Sequence, residues 1–542
     1  MSPTASAFLL TAPAAVPSVV AGAYALAAPR TRPAAAAFAT ELTESGQRAS
    51  AQGTVLVAEA AEPDEVPKRH VRDWVGLVSP AVILTCGSLL AADVDGGGSR
   101  RAYSGLLRAD ALTAWMLLVV GAVALVACGS APAYLRGERA AGRASARAVM
   151  GVPPLERSRE WGSYHVLVQA FLAAMSLAVV TANLGVLWVA IEATTIVTAF
   201  LVGHRRTRTS VEAAWKYVVV CSAGIALAFL GTVLIYYAAR QAGIAEAWAL
   251  DWPTLVAHAD RLDPAVTRLG ITLIVLGFGA KAGLIPLHAW LPDAHSQAPA
   301  PVSALMSGVL LSVAFAAILR YRVIANAALG VGFTRVLLAG IALLTLALAA
   351  GLLLAQRDYK RMLAYSSMEH MSLIALAAAI GSPLALSAAL LHIAGHGLAK
   401  SVAFCASGRI LQITGTARIG RVHGLLAQAP PLAGAFGLAV VALMAFPPFS
   451  LFASELGIAR AGFAAGGGLG WVMAVALLLV LVAFAALAAR TARMLLGPGT
   501  PAEESPSAVW PLLLGLAACA ALGVTLGPLT DLLHAATQAI GG

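Results

Sequence analysis

Charged residues are scarce in this sequence: Asp, Glu, Lys and Arg make up 11% of its 542 residues, whereas 59% are hydrophobic. A typical soluble domain carries about 25% charged residues, so this composition excludes an ordinary soluble enzyme. The formal net charge of +10 comes largely from arginines that stand between apolar runs of about 20 residues, the length that a helix needs to cross a bilayer. Arginines in such loops orient a membrane protein, and no nucleic-acid partner is expected.

Cysteine is also rare, and its distribution excludes the common metal and redox centres. None of the five cysteines forms a CxxC pair, and the sequence contains no Walker A or HExxH motif and no GxGxxG in a strand–helix context. The sequence therefore predicts no cofactor and no metal site. We interpret the cysteines as small buried residues: Cys86, Cys128, Cys221, Cys405 and Cys519.

Long apolar segments predict an all-α polytopic membrane protein surrounded by the lipid bilayer. Such segments are too long and too uniformly apolar for barrel strands, and a helix satisfies its own backbone hydrogen bonds in lipid. We predict about fourteen spans, near residues 7–28, 74–93, 109–135, 165–182, 184–203, 213–238, 268–289, 299–320, 333–355, 361–380, 384–412, 431–452, 469–492 and 508–536. The Ala-rich polar segment 30–72 is predicted to be a loop or a partly disordered insertion.

Two of these spans contain proline-rich interruptions: GLIPLHAWLP in the seventh and AFPPFSLF in the twelfth. Matching interruptions five spans apart predict two inverted five-helix repeats, with ion sites near the broken helices 7 and 12. The predicted divisions are N-terminal spans with the insertion, a third span with a basic loop, a first repeat, a second repeat and a C-terminal span, at residues 1–104, 105–164, 165–320, 333–492 and 493–542.

The distribution of basic residues predicts the orientation in a bacterial inner membrane. Loops after odd-numbered spans are richer in Lys and Arg than loops after even-numbered spans, which places the odd loops in the cytoplasm and both termini outside. The odd loops include Arg357, Lys360 and Arg361, and the opposite side carries Arg320, Arg322 and Arg335.

Ionisable residues inside the apolar spans are the candidate functional residues. A charged group at a helix centre costs about 2.5–3.5 kcal/mol on insertion scales, so each one points to function. A proton relay is predicted from Glu192, Lys281, His392, His396, Lys400 and Glu455, with Lys216, His288, Asp293, His295, Glu369, His370 and Ser312 as possible members. His392, His396 and Lys400 recur every four residues and share one helical face, where imidazoles can pass protons to an amine.

Structural alternatives remain open at this stage. Glu192 and Lys281 can form a static ion pair that fixes helix register. His392 and His396 can bond backbone carbonyls while Lys400 extends its ammonium to the membrane surface. The same extension is possible for Lys216.

The sequence resembles a known family of membrane proteins at four places: AKAGLIPLHAWLPDAHSQAPAPVSALMSG, EAAWKYVVVCSAGIALAFLGT, RMLAYSSMEHMSLIAL and HGLAKSVAF. These stretches are similar to the antiporter-like, proton-translocating subunits of respiratory complex I, Mrp-type cation/proton antiporters and membrane-bound hydrogenases. The resemblance is strongest to the hydrogenase-4 component F branch and covers roughly residues 105–495.

The resemblance implies fourteen helices with inverted repeats and assigns roles to matching residues. Glu192 and Lys281 correspond to the glutamate and lysine whose ion pair is made and broken during proton release. Lys400 corresponds to the lysine of the eleventh helix, and Glu455 stands where relatives have Lys or Glu in the twelfth. One departure is Ser312 or Ser307, where complex I members carry a central Lys or His in the eighth helix.

We therefore predict a proton-translocating subunit of a redox-driven complex, with other membrane and redox subunits as partners. The transported ion is the proton, with sodium as the alternative. One alternative is a stand-alone or Mrp-type cation/proton antiporter driven by an ion gradient. Another is a non-pumping membrane partner of a soluble enzyme, such as a protein that hydrates carbon dioxide.

Overall fold

The computed structural model describes residues 2–27, 74–94, 98–148, 155–499 and 509–541. Helices dominate these residues, which confirms the all-α prediction. The described residues contain one small sheet, an antiparallel hairpin of β1 (Arg100–Ala102) and β2 (Leu107–Ala109). The predicted insertion at 30–72 lies outside the described residues.

The helices follow the predicted spans closely in order and position. The first part of the chain forms α1 (Pro3–Leu26), α2 (Val78–Val94), α3 (Ala111–Ala148), α4 (Leu155–Val180), α5 (Leu184–Val202), α6 (Arg208–Gln241), α7 (Pro264–Lys281), α8 (Trp290–Gln297) and α9 (Ala300–Leu329). The second part forms α10 (Val331–Ala355), α11 (Tyr359–Ile380), α12 (Pro383–Thr414), α13 (Pro430–Leu443), α14 (Ser450–Ala464), α15 (Gly467–Leu495), α16 (Trp510–Val524) and α17 (Leu529–Gly541).

Eleven helices of the described chain are long and apolar enough to cross a membrane, or twelve if α16 and α17 count as one span bent by 78°. The predicted spans at 74–93 and 431–452 correspond to the shorter helices α2 and α13. The second of these predicted spans also includes the start of α14. The protein is therefore a multi-pass membrane protein. The count of fourteen crossings and the two inverted repeats stay predictions.

Both proline-rich segments interrupt helices, as the sequence predicted. The seventh span ends at Lys281, earlier than the predicted residue 289, and the chain becomes helical again at Trp290. Gly283 has a φ of +78°, which favours glycine. The Ile285 N–H donates to Thr345 Oγ1 at 3.1 Å, so a neighbouring helix satisfies this non-helical backbone. The twelfth span breaks between Leu443 and Ser450 in the same way.

Close packing of α6 against α7 fixes the end of α7. A Cβ at Gly277 would lie 2.5 Å from the Gly224 carbonyl oxygen, and one at Gly231 would lie 2.5 Å from that of Gly270. Small residues allow membrane helices to approach this closely. The approach holds Lys281, the last residue of α7, beside Tyr217 of α6.

Three basic residues that the sequence analysis counted on loops are instead buried in helices. Arg320 pairs with Asp110 at 2.5 Å, and Arg322 donates to the Ile540 carbonyl at 2.8 Å. Lys360 belongs to α11 and donates to the carbonyl oxygens of Ser296 and Ala298. Residues far away in the sequence bind these three basic groups. The three charges therefore belong to the helix bundle and do not contribute to the charge of the loops.

Candidate functional site

A fully buried lysine ends α7 at the first helix break. Lys281 Nζ donates to the Tyr217 hydroxyl at 2.7 Å. Tyr217 and Thr198 share a 2.5 Å hydrogen bond, and Thr198 also donates to the Thr194 carbonyl at 2.6 Å. Because the Thr198 proton is used, Tyr217 is the donor to Thr198. The three side chains therefore form a directed chain of hydrogen bonds from the ammonium to α5.

Glu192 lies on the same helix as Thr198 but does not contact Lys281. Its carboxylate accepts from Thr195 Oγ1 at 3.0 Å, and within the described chain no ion pair joins it to Lys281. Tyr217 is the group that contacts the ammonium instead. The two partners named by the family resemblance are thus each bound by a different hydroxyl group and not by each other.

Lys216 lies in a different environment from Lys281. Its side chain is half exposed and pairs with Glu212 at 2.7 Å and with Asp293 at 3.2 Å. Arg361 also contacts Asp293. These four residues form a charged cluster at the surface, which fits the extended-lysine alternative for Lys216. His288 is partly buried in the break between α7 and α8.

His295 of α8 lies fully buried in the middle of the bundle. Its ring stacks on Phe404 with 4.9 Å between ring centroids, and it is within electrostatic range of Lys400 and Lys360. Both ring nitrogens lack a hydrogen-bond partner among the described residues. Trp290 of the same helix contacts the ring of Tyr217 edge-on at 4.9 Å, which connects His295 to the Lys281 region.

Lys400 of α12 is bound by α11. Its Nζ donates to the Leu363 carbonyl and to Ser366 Oγ, both at 2.8 Å. The next residue, Ser367, shares a 2.7 Å hydrogen bond with Ser307. Ser307 lies in a π-helical turn of α9, Met306–Leu310. Of the two serines considered for the eighth span, Ser307 is therefore the one bonded to the α11 face that holds Lys400.

Two histidines and a glutamate meet beyond Lys400. His370 Nδ1 lies 3.1 Å from His392 Nε2 and 3.9 Å from a carboxylate oxygen of Glu455. The other nitrogen of His392 lies 2.9 Å from Ser454 Oγ. The Glu455 side chain is 16% exposed, so the cluster reaches the protein surface there. The ligand atoms of His370, His392 and Glu455 lie within 4.8 Å of one another, close enough to hold a metal ion.

Several buried polar atoms near Lys400 and the histidines have no protein partner in the described part of the chain. They are both ring nitrogens of His396, one carboxylate oxygen of Glu369 and the hydroxyl oxygen of Ser312. The His396 ring centroid lies 5.2 Å from that of His370. Buried polar groups of native proteins are almost always hydrogen-bonded, to protein or to ordered water. These atoms therefore predict hydration between Lys400 and the histidines.

Sequence reasoning located the lysines and histidines but missed the groups that bind them. Tyr217 and Ser366 accept hydrogen bonds from Lys281 and Lys400, and Lys360 adds a further buried ammonium. Tyr217 follows Lys216 in the WKY triplet, and Ser366 opens the SSMEH motif. The charged residues near Tyr217 and Ser366 in the sequence could have pointed to these two residues. The sequence around Lys360 gave no sign that its side chain is buried. The five cysteines are free and buried, as expected.

Solved structures of similar fold are subunits of large membrane assemblies. The archaeal membrane-bound sulfane sulfur reductase matches with a TM-score of 0.76 and 23% identity, covering 99% of this chain and 98% of that chain. The Mrp complex from Dietzia sp. DQ12-45-1b matches with a TM-score of 0.76 and 19% identity, covering 99% and 100%. At these identities the likeness concerns the fold.

Curated sequences provide a more specific match. The chain is 42% identical to the Hydrogenase-4 component F homolog of Methylacidiphilum infernorum over 321 residues, which are 59% of this chain and 67% of the relative. It is 33% identical to NADH-quinone oxidoreductase subunit N of Desulforudis audaxviator over 309 residues, which are 56% of this chain and 60% of that relative.

The family match extends over the titratable residues described above. The pattern described as NADH:quinone oxidoreductase/Mrp antiporter, TM, covers residues 181–481, more than half of the chain. This range begins before Glu192 and ends after Glu455. The chain belongs to the NADH:quinone oxidoreductase/Mrp antiporter transmembrane family, as an antiporter-like membrane subunit of the kind found in complex I, membrane-bound hydrogenases and Mrp-type complexes.

Proposed function

We propose that this chain translocates protons as one subunit of a redox-driven complex in the bacterial inner membrane, with both termini outside the cytoplasm. The observation that carries the proposal is the succession of titratable groups from the buried Lys281, His295 and Lys400 to the partly exposed Glu455. Ionisable groups are costly in a membrane interior and mark ion or proton pathways.

The first step of the path is a change of the contact between Lys281 and its neighbours. The ammonium donates to Tyr217 while Glu192 is held by Thr195, so both partners have an alternative to the ion pair. Moving one proton against 100 mV requires about 2.3 kcal/mol. A change of one to two pKa units in a buried group supplies about 1.4–2.7 kcal/mol. A change of about two pKa units in one buried group is therefore enough to drive one proton.

His295 serves as the bridge in the middle of the path. The eighth span has no lysine or histidine at its centre, and His295 is a buried imidazole within electrostatic range of Lys400. Imidazole can accept a proton on one nitrogen and release another from the second. This role accounts for the departure at Ser307 and Ser312 that the sequence comparison with complex I members raised.

The far part of the path runs from Lys400 past His396 to the histidine pair and Glu455. His370 and His392 are in hydrogen-bond contact, and Glu455 is the member with surface exposure. The path is rich in amine and imidazole nitrogens, which carry protons. Hard cations prefer oxygen ligands, so this composition favours protons over sodium as the transported ion.

The test measures proton entry into liposomes that contain the purified complex, driven by a potassium gradient with valinomycin and reported by a pH-sensitive dye inside. We expect Lys281→Ala to assemble normally and to lower proton transfer at least tenfold, because the switchable charge is gone. Lys281→Arg should also impair transfer, since a guanidinium does not release its proton. Arg268→Ala, at an exposed site on the same helix, is the control.

The purification itself tests the assembly. Membrane and redox subunits that co-purify with the chain support the proposal. Co-purification with only a soluble enzyme that lacks redox centres would contradict it. Wild-type proton transfer by Lys281→Ala would contradict the relay.

A further inference from the structure

Three helices bring potential metal ligands together where the sequence predicted no metal site. His370 comes from α11, His392 from α12 and Glu455 from α14. The two imidazole nitrogens are 3.1 Å apart, and the nearest carboxylate oxygen lies 3.9 Å from His370 Nδ1. Among the residues that the structure describes, this is the one group of three such ligands within 4.8 Å of one another.

Ser454 determines which nitrogen of His392 faces the cluster as an acceptor. Its hydroxyl donates to the Leu451 carbonyl at 3.0 Å, so it accepts from His392 Nδ1 at 2.9 Å. Neutral His392 therefore carries its proton on Nδ1 and presents a lone pair on Nε2 toward His370. A metal-binding histidine is normally oriented in this way, by a hydrogen bond from its other nitrogen.

The ligand set determines the class of ion. Two imidazole nitrogens and one carboxylate oxygen are the protein ligands of several zinc sites that keep a fourth position open. With metal–ligand bonds of about 2.0–2.2 Å, adjacent ligands of a tetrahedral ion lie roughly 3.3–3.5 Å apart. Two of the three observed separations, 3.1 Å and 3.9 Å, bracket this value, and the third is within 4.8 Å.

We propose that His370, His392 and Glu455 bind a divalent transition-metal ion, with Zn²⁺ as the best fit. The partly exposed Glu455 is the point of entry, and Ser454 orients His392. A bound ion occupies the lone pairs of both imidazoles. On the proposed function, occupancy therefore closes the relay between His396 and Glu455, and Zn²⁺ inhibits proton transfer.

Binding is measured on the purified protein after treatment with a chelator, without any transport assay. Co²⁺ is the spectroscopic probe, because its visible absorption reports nitrogen and oxygen coordination, and Zn²⁺ is titrated by calorimetry. We expect one equivalent to bind, and His370→Gln, His392→Gln and Glu455→Gln each to weaken binding at least tenfold. Ser454→Ala should weaken it by roughly 10–100-fold, the usual effect of losing an orienting partner.

The matched control is His258→Gln, a histidine in a loop region that bonds the Thr254 carbonyl. It should bind the metal as the wild type does. Size-exclusion profiles and thermal unfolding identify any variant that fails to fold. Glu455→Ala, at the most exposed of the three ligands, is then used in place of that variant. No saturable binding by the wild type, or equal binding by all three ligand variants, would overturn the site.

The transport measurement separates the site from the proposed function. Zn²⁺ inhibition that Ser454→Ala, which is outside the relay, weakens in step with binding supports both. Metal binding without any proton transfer in the wild type supports the site and rejects the relay. Proton transfer that is unaffected by a bound ion rejects the link between them.

Discussion

At the scale of single residues, the three buried lysines of the described chain all donate to neutral oxygens. Lys281 donates to a phenol, Lys400 to a serine and a carbonyl, and Lys360 to two carbonyls. A neutral acceptor holds an ammonium less strongly than a carboxylate does. Such a lysine is more easily discharged than one in a tight ion pair, which suits a proton relay.

The bridging role of His295 provides a prediction at this scale. His295→Gln retains hydrogen-bonding capacity and similar size but does not titrate usefully. We expect at least a tenfold loss of proton transfer and only a modest fall in melting temperature, because the substitution removes the stacked contact with Phe404, which is worth about 0.5–1.5 kcal/mol. Dye-reported liposome assays and thermal unfolding check this. His258→Gln is the control, and unchanged transfer by His295→Gln would place the path elsewhere.

At the scale of elements, the π-helical turn of α9 packs directly against α12. A Cβ at Gly308 would lie 2.9 Å from the Gly397 carbonyl oxygen and 2.9 Å from Val123. Gly397 lies between His396 and Lys400 on α12. Ser307 of the same turn bonds Ser367 of α11, so this turn contacts both helices that hold Lys400.

Gly308→Ala tests this contact. The added methyl group has no space, so we expect the helices to separate, the melting temperature to fall and proton transfer to decrease with it. Overpacking of this kind costs typically 1–3 kcal/mol. Gly340→Ala in α10 is the control, because a Cβ there meets nothing within 4 Å and alanine favours the helix. Equal melting temperatures of the two variants would show that the contact is not tight.

At the scale of the whole molecule, a buried ion pair joins parts of the chain that lie far apart. Asp110, at the start of α3, accepts two hydrogen bonds from Arg320 near the end of α9, at 2.5 and 2.6 Å. The guanidinium also lies 4.4 Å from the ring centroid of Trp252, in a short helix between α6 and α7. One cation thus connects three regions of the bundle.

Asp110→Asn should be strongly destabilising, because it leaves Arg320 buried without its counter-ion. Breaking one partner of a buried pair costs about 3–5 kcal/mol. Thermal unfolding of the purified protein measures the loss, and replacing both residues with apolar side chains should recover part of it. Asp93→Asn is the comparison: Asp93 pairs with the more exposed Arg100, and exposed pairs contribute about 0–1 kcal/mol. Similar losses from both single variants would contradict the assigned importance of the Asp110 pair.

The sequence by itself determined the membrane class, the order and positions of the helices, the two breaks and the lysines and histidines that lie buried inside the spans. Each of these follows from local properties: the length of an apolar run, proline and glycine within it, and a four-residue spacing on one helix. The cluster of His370, His392 and Glu455, the contact of Lys281 with Tyr217 and the burial of Arg320 were decided only by the tertiary structure. Their partners stand on different helices, up to 210 residues apart in the chain, and helix packing alone brings them within bonding distance.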